Sequence, residues 1–134
     1  MGVGRLLKSG CDVWLNNPIR PHEASGTSGM KVPLHGGINC SIADGWWPEA
    51  YDGTNGWVIG SANDDIEVGA IENEERDDRD AQALYELLET EITREFYDDP
   101  SAWKQRALAS LNSIPPFFNT NRMVQEYRDT YYGV

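Results

Sequence analysis

From residue 23 to residue 31 the chain reads Glu-Ala-Ser-Gly-Thr-Ser-Gly-Met-Lys. These residue types at this spacing suit an anion. Small residues let a bound group approach the backbone, and unpaired N–H groups at a helix start point towards negative charge. A helix dipole contributes about 0.3–1 kcal/mol for an anion at such a terminus. Thr27 and Ser28 add hydroxyl donors, and Lys31 stands one helical turn further on, within reach of a group held over the loop. A lysine amine near apolar neighbours is suited to imine formation with a carbonyl. Glu23, at the start of the loop, accepts hydrogen bonds of the kind sugar hydroxyls donate. The plainer reading is a solvated turn followed by a solvated lysine.

A loop of this kind has to be delivered by a strand and received by a helix. Cys11–Leu15 alternates and carries Val and Trp, which predicts a short strand. Before it, Leu6–Ser9 ends a helix at Gly10. Asn16–Ser28, rich in Asn, Pro, Gly and Ser, is a loop. Gly29–His35 is a short helix closed by Gly36-Gly37, and Ile38–Ala43 is a second strand. Asp44–Gly56 is expected to be a long aromatic loop, and Trp57–Ile59 a third strand. This order predicts an α/β fold with a parallel sheet. Its site then lies at the carboxyl ends of the strands, where both long loops begin.

The second half is helical. Ala81, Leu84, Leu87, Leu88, Ile92 and Phe96 fall at helical spacing. Asp99-Pro100 starts another helix, with Trp103, Ala107, Leu108 and Leu111 as its apolar stripe and Pro115-Pro116 as its stop. Asn119 or Thr120 caps a last helix that carries Met123, Val124, Tyr127 and Tyr131 on one face. These stripes are read as core packing. Residues 1–75 form the cofactor-loop α/β segment, and 76–134 the helical C-terminal segment of the same domain.

Composition narrows the function. The 134 residues carry a net charge of −11, with five acids against four bases in residues 1–63 and seventeen against seven in 64–134. Such a surface disfavours nucleic acid and anionic membrane. The acidic run Glu72–Asp80 is expected to be a solvated face at a helix start. No apolar run is long enough to span a bilayer. The first ten residues lack a signal-peptide core, and Leu6 departs from the myristoylation pattern, so a cytoplasmic location is expected. Cys11 and Cys40 have neither redox nor zinc spacing and are read as buried free thiols; no metal site is expected.

The segment EASGTSGMK resembles the pyridoxal-phosphate lysine segment of the α-glucan (glycogen/maltodextrin) phosphorylases. Its flanks, GCDVWLNNP before it and LHGGINCSIADGWWPEAYDGTNGWVIG after it, resemble the shorter bacterial and archaeal type, and FNTNRMVQEYRDTYY resembles the family's C-terminal helix. The resemblance implies a C-terminal fragment, part of a Rossmann-like half of a GT-B fold ending in several helices. It implies that Lys31 forms the Schiff base with pyridoxal phosphate, and that Thr27 and the Ser28 N–H hold its phosphate. Glu23, Ser25 and the Gly26 N–H would contact the glucosyl unit, making Lys31 and Glu23 the catalytic pair. The implied reaction is phosphorolysis of an α-1,4-glucan or maltodextrin by inorganic phosphate, releasing glucose 1-phosphate.

Asp44-Gly45 matches an aspartate–glycine pair of the family and is assigned a structural role. Trp46, Trp47, Tyr51 and Trp57 suit either sugar stacking or core packing. Arg20 and His22 stand where anion contacts can form. The family's other phosphate-binding cations and its N-terminal domain have no counterpart here, and Met1 aligns with an internal methionine. A gene fragment or a truncated open reading frame, with an exposed sheet edge and inactive without the missing N-terminal part, is therefore expected. Two rival readings remain. One is a nucleotide-sugar-dependent glycogen or starch synthase-like piece, disfavoured because Lys31 stands where a second glutamate belongs. The other is a non-catalytic remnant.

Overall fold

A computed structural model describes residues 2–60 and 73–133. Three parallel strands, β1 (Val13–Asn16), β2 (Ile38–Ile42) and β3 (Gly56–Ile59), form a sheet in the order β1-β2-β3. Val13 stands opposite Ile38, and Cys40 opposite Trp57. The helix α1 (Gly2–Gly10) precedes the sheet, and a 3₁₀ helix, Gly29–His35, joins β1 to β2. The α/β class, the parallel sheet and all three strands agree with the sequence reading to within two residues at each end.

β2 is buried along its whole length, on both faces. Its alternation sends Ile38, Cys40 and Ile42 to one side, where Trp57 and Ile59 of β3 complete the apolar surface. A long helical stretch covers that side: α3 (Asn73–Leu87), a π-type turn over Leu88–Ile92, and α4 (Thr93–Tyr97). Leu84, Leu87 and Ile92 pack against the sheet, as do Trp103 and Ala107 of α5 (Pro100–Phe117). On the other side Trp46, Trp47 and Ala50 pack with Val58 and Ile114.

The helix starts follow from their caps. Asp99 accepts from the Ala102 N–H at 3.0 Å with Pro100 behind it, and Asn119 accepts from the Arg122 N–H at 3.0 Å to open α6 (Thr120–Tyr127). Gly36, at φ 84°, closes the 3₁₀ helix. α3 carries Glu74 and Glu75 in its first turn, as a helix N-terminus favours; Glu72, the start of the acidic run, lies outside the described residues.

Several expectations are corrected. The stretch after β2 is not all loop, since Trp47–Ala50 forms the short helix α2 with Pro48 in its first turn. Pro115 and Pro116 do not stop α5, which runs on to Phe117. They fall in its last turn, and the Asn119 amide donates to the carbonyls of Pro115 and Pro116 at 3.3 and 2.7 Å, satisfying exposed acceptors there. The inner stripe of α5 is Trp103, Ala107, Ser110 and Ile114; Leu108 and Leu111 face outward. The last stripe is not core: Met123, Val124, Tyr127 and Tyr131 are all exposed. The four aromatics resolve towards packing, with Trp46, Trp47 and Trp57 buried and Tyr51 against Trp47. Cys11 is only half-buried.

Burial pushes the Cys40 thiol up to about 12 and raises that of Cys11 to a smaller degree. A raised thiol pKa favours the folded state below the unfolded value of 9.0, and that contribution declines as pH climbs from 9.0 towards about 12. Cys11 should therefore react with a disulfide reagent at pH 8 while Cys40 reacts only after unfolding, and Cys40→Ala should flatten the alkaline loss of stability in denaturant titrations.

Candidate functional site

The loops that leave β1 and β2 meet beyond the carboxyl ends of the strands. Two contacts stitch them together and a third fixes the Asp44 carboxylate. The Glu23 N–H donates to Asp44 Oδ2 at 2.9 Å, the Gly45 N–H donates to Asp44 Oδ1 at 2.8 Å, and the Trp46 N–H donates to the Ser25 carbonyl at 3.1 Å. Gly45 has φ +60°, and a Cβ there would stand 2.7 Å from the Ser25 oxygen, so the close approach of the two loops depends on glycine. Gly26, at φ +75°, turns the chain under the Trp46 ring.

The 3₁₀ helix is seated from below by a residue that sequence reasoning passed over. Asn39 is buried, second residue of β2, and its amide donates to the Gly29 carbonyl at 3.1 Å. A Cβ on Gly29 would lie 2.6 Å from Asn39 Oδ1 and 3.0 Å from Trp46. The helix therefore presses onto the sheet at Gly29, with Val32 and Pro33 buried beneath it and Lys31 exposed above. The sequence signal for Asn39 was a polar residue that, with Ser41, alternates with apolar ones along the strand.

Lys31 stands in an open groove of about 600 Å³ that it shares with Thr27, Met30, Leu34, Pro115, Phe118, Asn119, Thr120, Arg122 and Met123. Its far wall is the junction of α5 and α6, which the sequence did not tie to this loop. Among the described residues, no acceptor faces the N–H groups of Gly26, Thr27 or Ser28; the bonds of this turn run from Gly29 N to Gly26 O and from Lys31 N to Ser28 O. Thr27, with its hydroxyl, and the exposed Lys31 thus border one apolar groove, next to the Gly26–Ser28 turn, a combination that fits an anionic aromatic aldehyde such as pyridoxal phosphate.

The expected site residues therefore stand within one stretch. Thr27 and Lys31 line the groove, while Glu23, Ser25 and Gly26 form the strap held by the 44–46 turn. Arg20 lies elsewhere: its Nη2 pairs with Asp80 of α3 at 3.4 Å. The Asp80 carboxyl is pushed up by burial, against the pull of Arg20. His22 is exposed, with its N–H on the Ile19 carbonyl. Among the described residues no group of His, Cys, Asp and Glu could hold a metal ion, and no helix is long and apolar enough to cross a membrane.

Gly29→Ala should destabilise the fold by about 1–3 kcal/mol through overpacking. Adding Asn39→Ala should recover part of that loss by vacating the space the new methyl needs. Urea denaturation of the two single variants and the double variant measures the coupling.

The chain is 51% identical over 133 residues to the maltodextrin phosphorylase of Thermococcus litoralis, covering 99% of this chain and 15% of that protein. It is 47% identical over 138 residues to the glycogen phosphorylase of Mycobacterium tuberculosis, again covering 99% of this chain and 15% of the relative. With the glycogen phosphorylase of Aquifex aeolicus it shares 41% over 136 residues, 98% of this chain and 18% of that protein. No family model matches the chain, and no solved structure matches it. The chain is thus homologous, over nearly all its length, to a segment of glycogen and maltodextrin phosphorylases, and it spans less than a fifth of theirs.

Proposed function

We propose that this phosphorylase segment supplies the cofactor lysine and part of the glucosyl-binding wall of an α-1,4-glucan phosphorylase with a GT-B architecture. The observation that supports the reading most directly is the turn itself. An exposed lysine stands on a 3₁₀ helix pressed onto a buried strand, next to a loop whose N–H groups have no acceptor among the described residues. That arrangement lies in a chain half identical to a maltodextrin phosphorylase.

On this reading Lys31 holds pyridoxal phosphate through its amine, and Thr27 and the Ser28 N–H hold its phosphate. The bound cofactor supplies an ionisable phosphate next to the phosphate substrate. Glu23, Ser25 and the Gly26 N–H grip hydroxyls of the glucosyl unit at the bond to be broken. A carboxylate that accepts a sugar hydroxyl contributes about 1.5–3 kcal/mol, which is worth most if the bond tightens as charge develops on the ring. Met30, Leu34 and Phe118 give the groove apolar walls, which limit water beside the reacting phosphate. A nucleotide-sugar enzyme would instead want a carboxylate where Lys31 stands.

On this reading cofactor binding is local to residues 27–31, and the opposite wall for the glucan comes from the rest of the polypeptide. Incubation with pyridoxal phosphate and borohydride should therefore label the peptide containing Lys31, and Lys31→Ala should abolish the label. In the complete polypeptide carrying this segment, Glu23→Gln should keep full cofactor content while lowering glucose 1-phosphate formation about 10–100-fold. Residues 1–134 alone should give no sustained glucose 1-phosphate from maltodextrin and phosphate. Equal loss of cofactor in both variants, or turnover by the isolated chain, contradicts this reading.

A further inference from the structure

We infer that Asp44 is the positioning residue of the glucosyl side of this site, acting through Glu23 and not through the cofactor lysine. The inference rests on the proposed phosphorylase reading and assigns a task to a residue that touches neither substrate nor cofactor in it.

The geometry separates two anchors. Lys31 rides on the 3₁₀ helix, whose position is fixed by Asn39 and the buried Val32 and Pro33. Glu23 lies upstream, on a strap with no helix or strand of its own. What holds the strap is the 44–46 turn. Both carboxylate oxygens of Asp44 are engaged, Oδ2 by the Glu23 N–H at 2.9 Å and Oδ1 by the Gly45 N–H at 2.8 Å. Two residues on, the Trp46 N–H holds the Ser25 carbonyl at 3.1 Å. The turn is itself rigid. The Asp44 N–H donates to the Ile42 carbonyl at the end of β2, and its own carbonyl accepts from Trp47 N. Trp47 is fully buried, with its indole N–H on the Trp57 carbonyl at 3.2 Å. Asp44 thus transfers the rigidity of the sheet and its buried indoles to the backbone of Glu23.

A charged acceptor is the strong form of such a bond, and only a carboxylate offers two oxygens to two N–H groups. Asparagine keeps the volume but turns an amide N–H₂ towards one of the donors. Glu23 then loses its orientation while Lys31 keeps its seat. An angstrom of slack in a positioning contact lowers turnover without unfolding the protein.

The test uses the complete polypeptide carrying this segment, with Asp44→Asn, Asp44→Ala, Glu23→Gln and the double variant Glu23→Gln/Asp44→Asn. Cofactor content is read by borohydride labelling at Lys31, and kcat and KM are read from maltodextrin phosphorolysis. Asp44→Asn should keep full labelling and lower kcat/KM at least about tenfold, mainly in kcat, with Asp44→Ala lower still. The double variant should be no more than about threefold below Glu23→Gln alone, because Asp44 acts through Glu23. A purely structural Asp44 predicts losses that multiply in the double variant, or labelling that falls in step with turnover; either result overturns the inference, as does unchanged turnover in Asp44→Ala. Absence of labelling in the unmodified protein overturns the phosphorylase reading itself, which separates the two failures.

Discussion

The burial of β2 on both faces governs everything around it. A parallel strand at the centre of a small sheet has to be covered on each side, and the cover is usually apolar. Here one face obeys: Ile38, Cys40 and Ile42 meet the helices. The other face carries Asn39 and Ser41, equally buried. A buried amide without partners costs more than it contributes, so something polar has to descend onto it. That something is the Gly29 carbonyl, and with it the first turn of the 3₁₀ helix bearing Lys31. The polar half of a buried strand thereby becomes the seat of the candidate site. The same demand explains Gly29, since any side chain there would collide with Asn39 and Trp46.

The elements whose boundaries are set by local chemistry were legible in the sequence. Asp99-Pro100 before α5, Asn119 before α6 and Gly36 after the lysine helix act through bonds within a few residues, so their effect is visible in one dimension. The candidate loop was legible for the same reason: Glu23–Lys31 is contiguous. Apart from α2 and the last turn of α5, the features that escaped depend on distance in sequence. Asn39 acts ten residues from Gly29, Asp44 twenty-one from Glu23, and the groove wall at Pro115–Met123 lies far along the chain from Lys31. The α5 stripe was misplaced because Leu108 and Leu111 fit helical spacing as well as Ser110 and Ile114 do. Only the position of the sheet decides which face turns inward.

The exposed apolar side chains have a physical reading of their own. Val3, Leu6 and Leu7 on α1, and Met123, Val124 and Tyr127 on α6, are all exposed. Such stripes on a free-standing domain are a liability. In a chain that spans less than a fifth of its relatives' length, they mean that helical spacing alone misleads. The periodicity marks an apolar face, but the sequence does not say whether that face is buried within the chain.

Electrostatics complete the division between what this segment holds and what its proposed reaction needs. The arginines near the fold's interior are already matched. Arg20 pairs with Asp80, tying the first loop to α3. Arg106 lies over the Trp57 ring, donates to Glu95 at 2.9 Å and to the Gly56 carbonyl at 2.9 Å, and its pKa is raised chiefly by the Glu95 hydrogen bond. Arg122, at the groove, is engaged with Glu126 and the Phe117 carbonyl. These guanidiniums offset acidic helices and order the packing. Phosphorolysis, in contrast, brings a cofactor phosphate next to a phosphate substrate. At a separation of about 5 Å and an effective dielectric of 20, even two unit charges repel by roughly 3 kcal/mol. Hydrogen-bond donors orient such a pair but do not cancel its charge. On the proposed reading, therefore, residues 23–31 supply the geometry of anion binding, and most of the counter-charge comes from the remainder of the polypeptide. On the same proposal, binding of the cofactor and turnover of the substrate separate physically: the first is local to one loop, and the second requires a cationic wall opposite it.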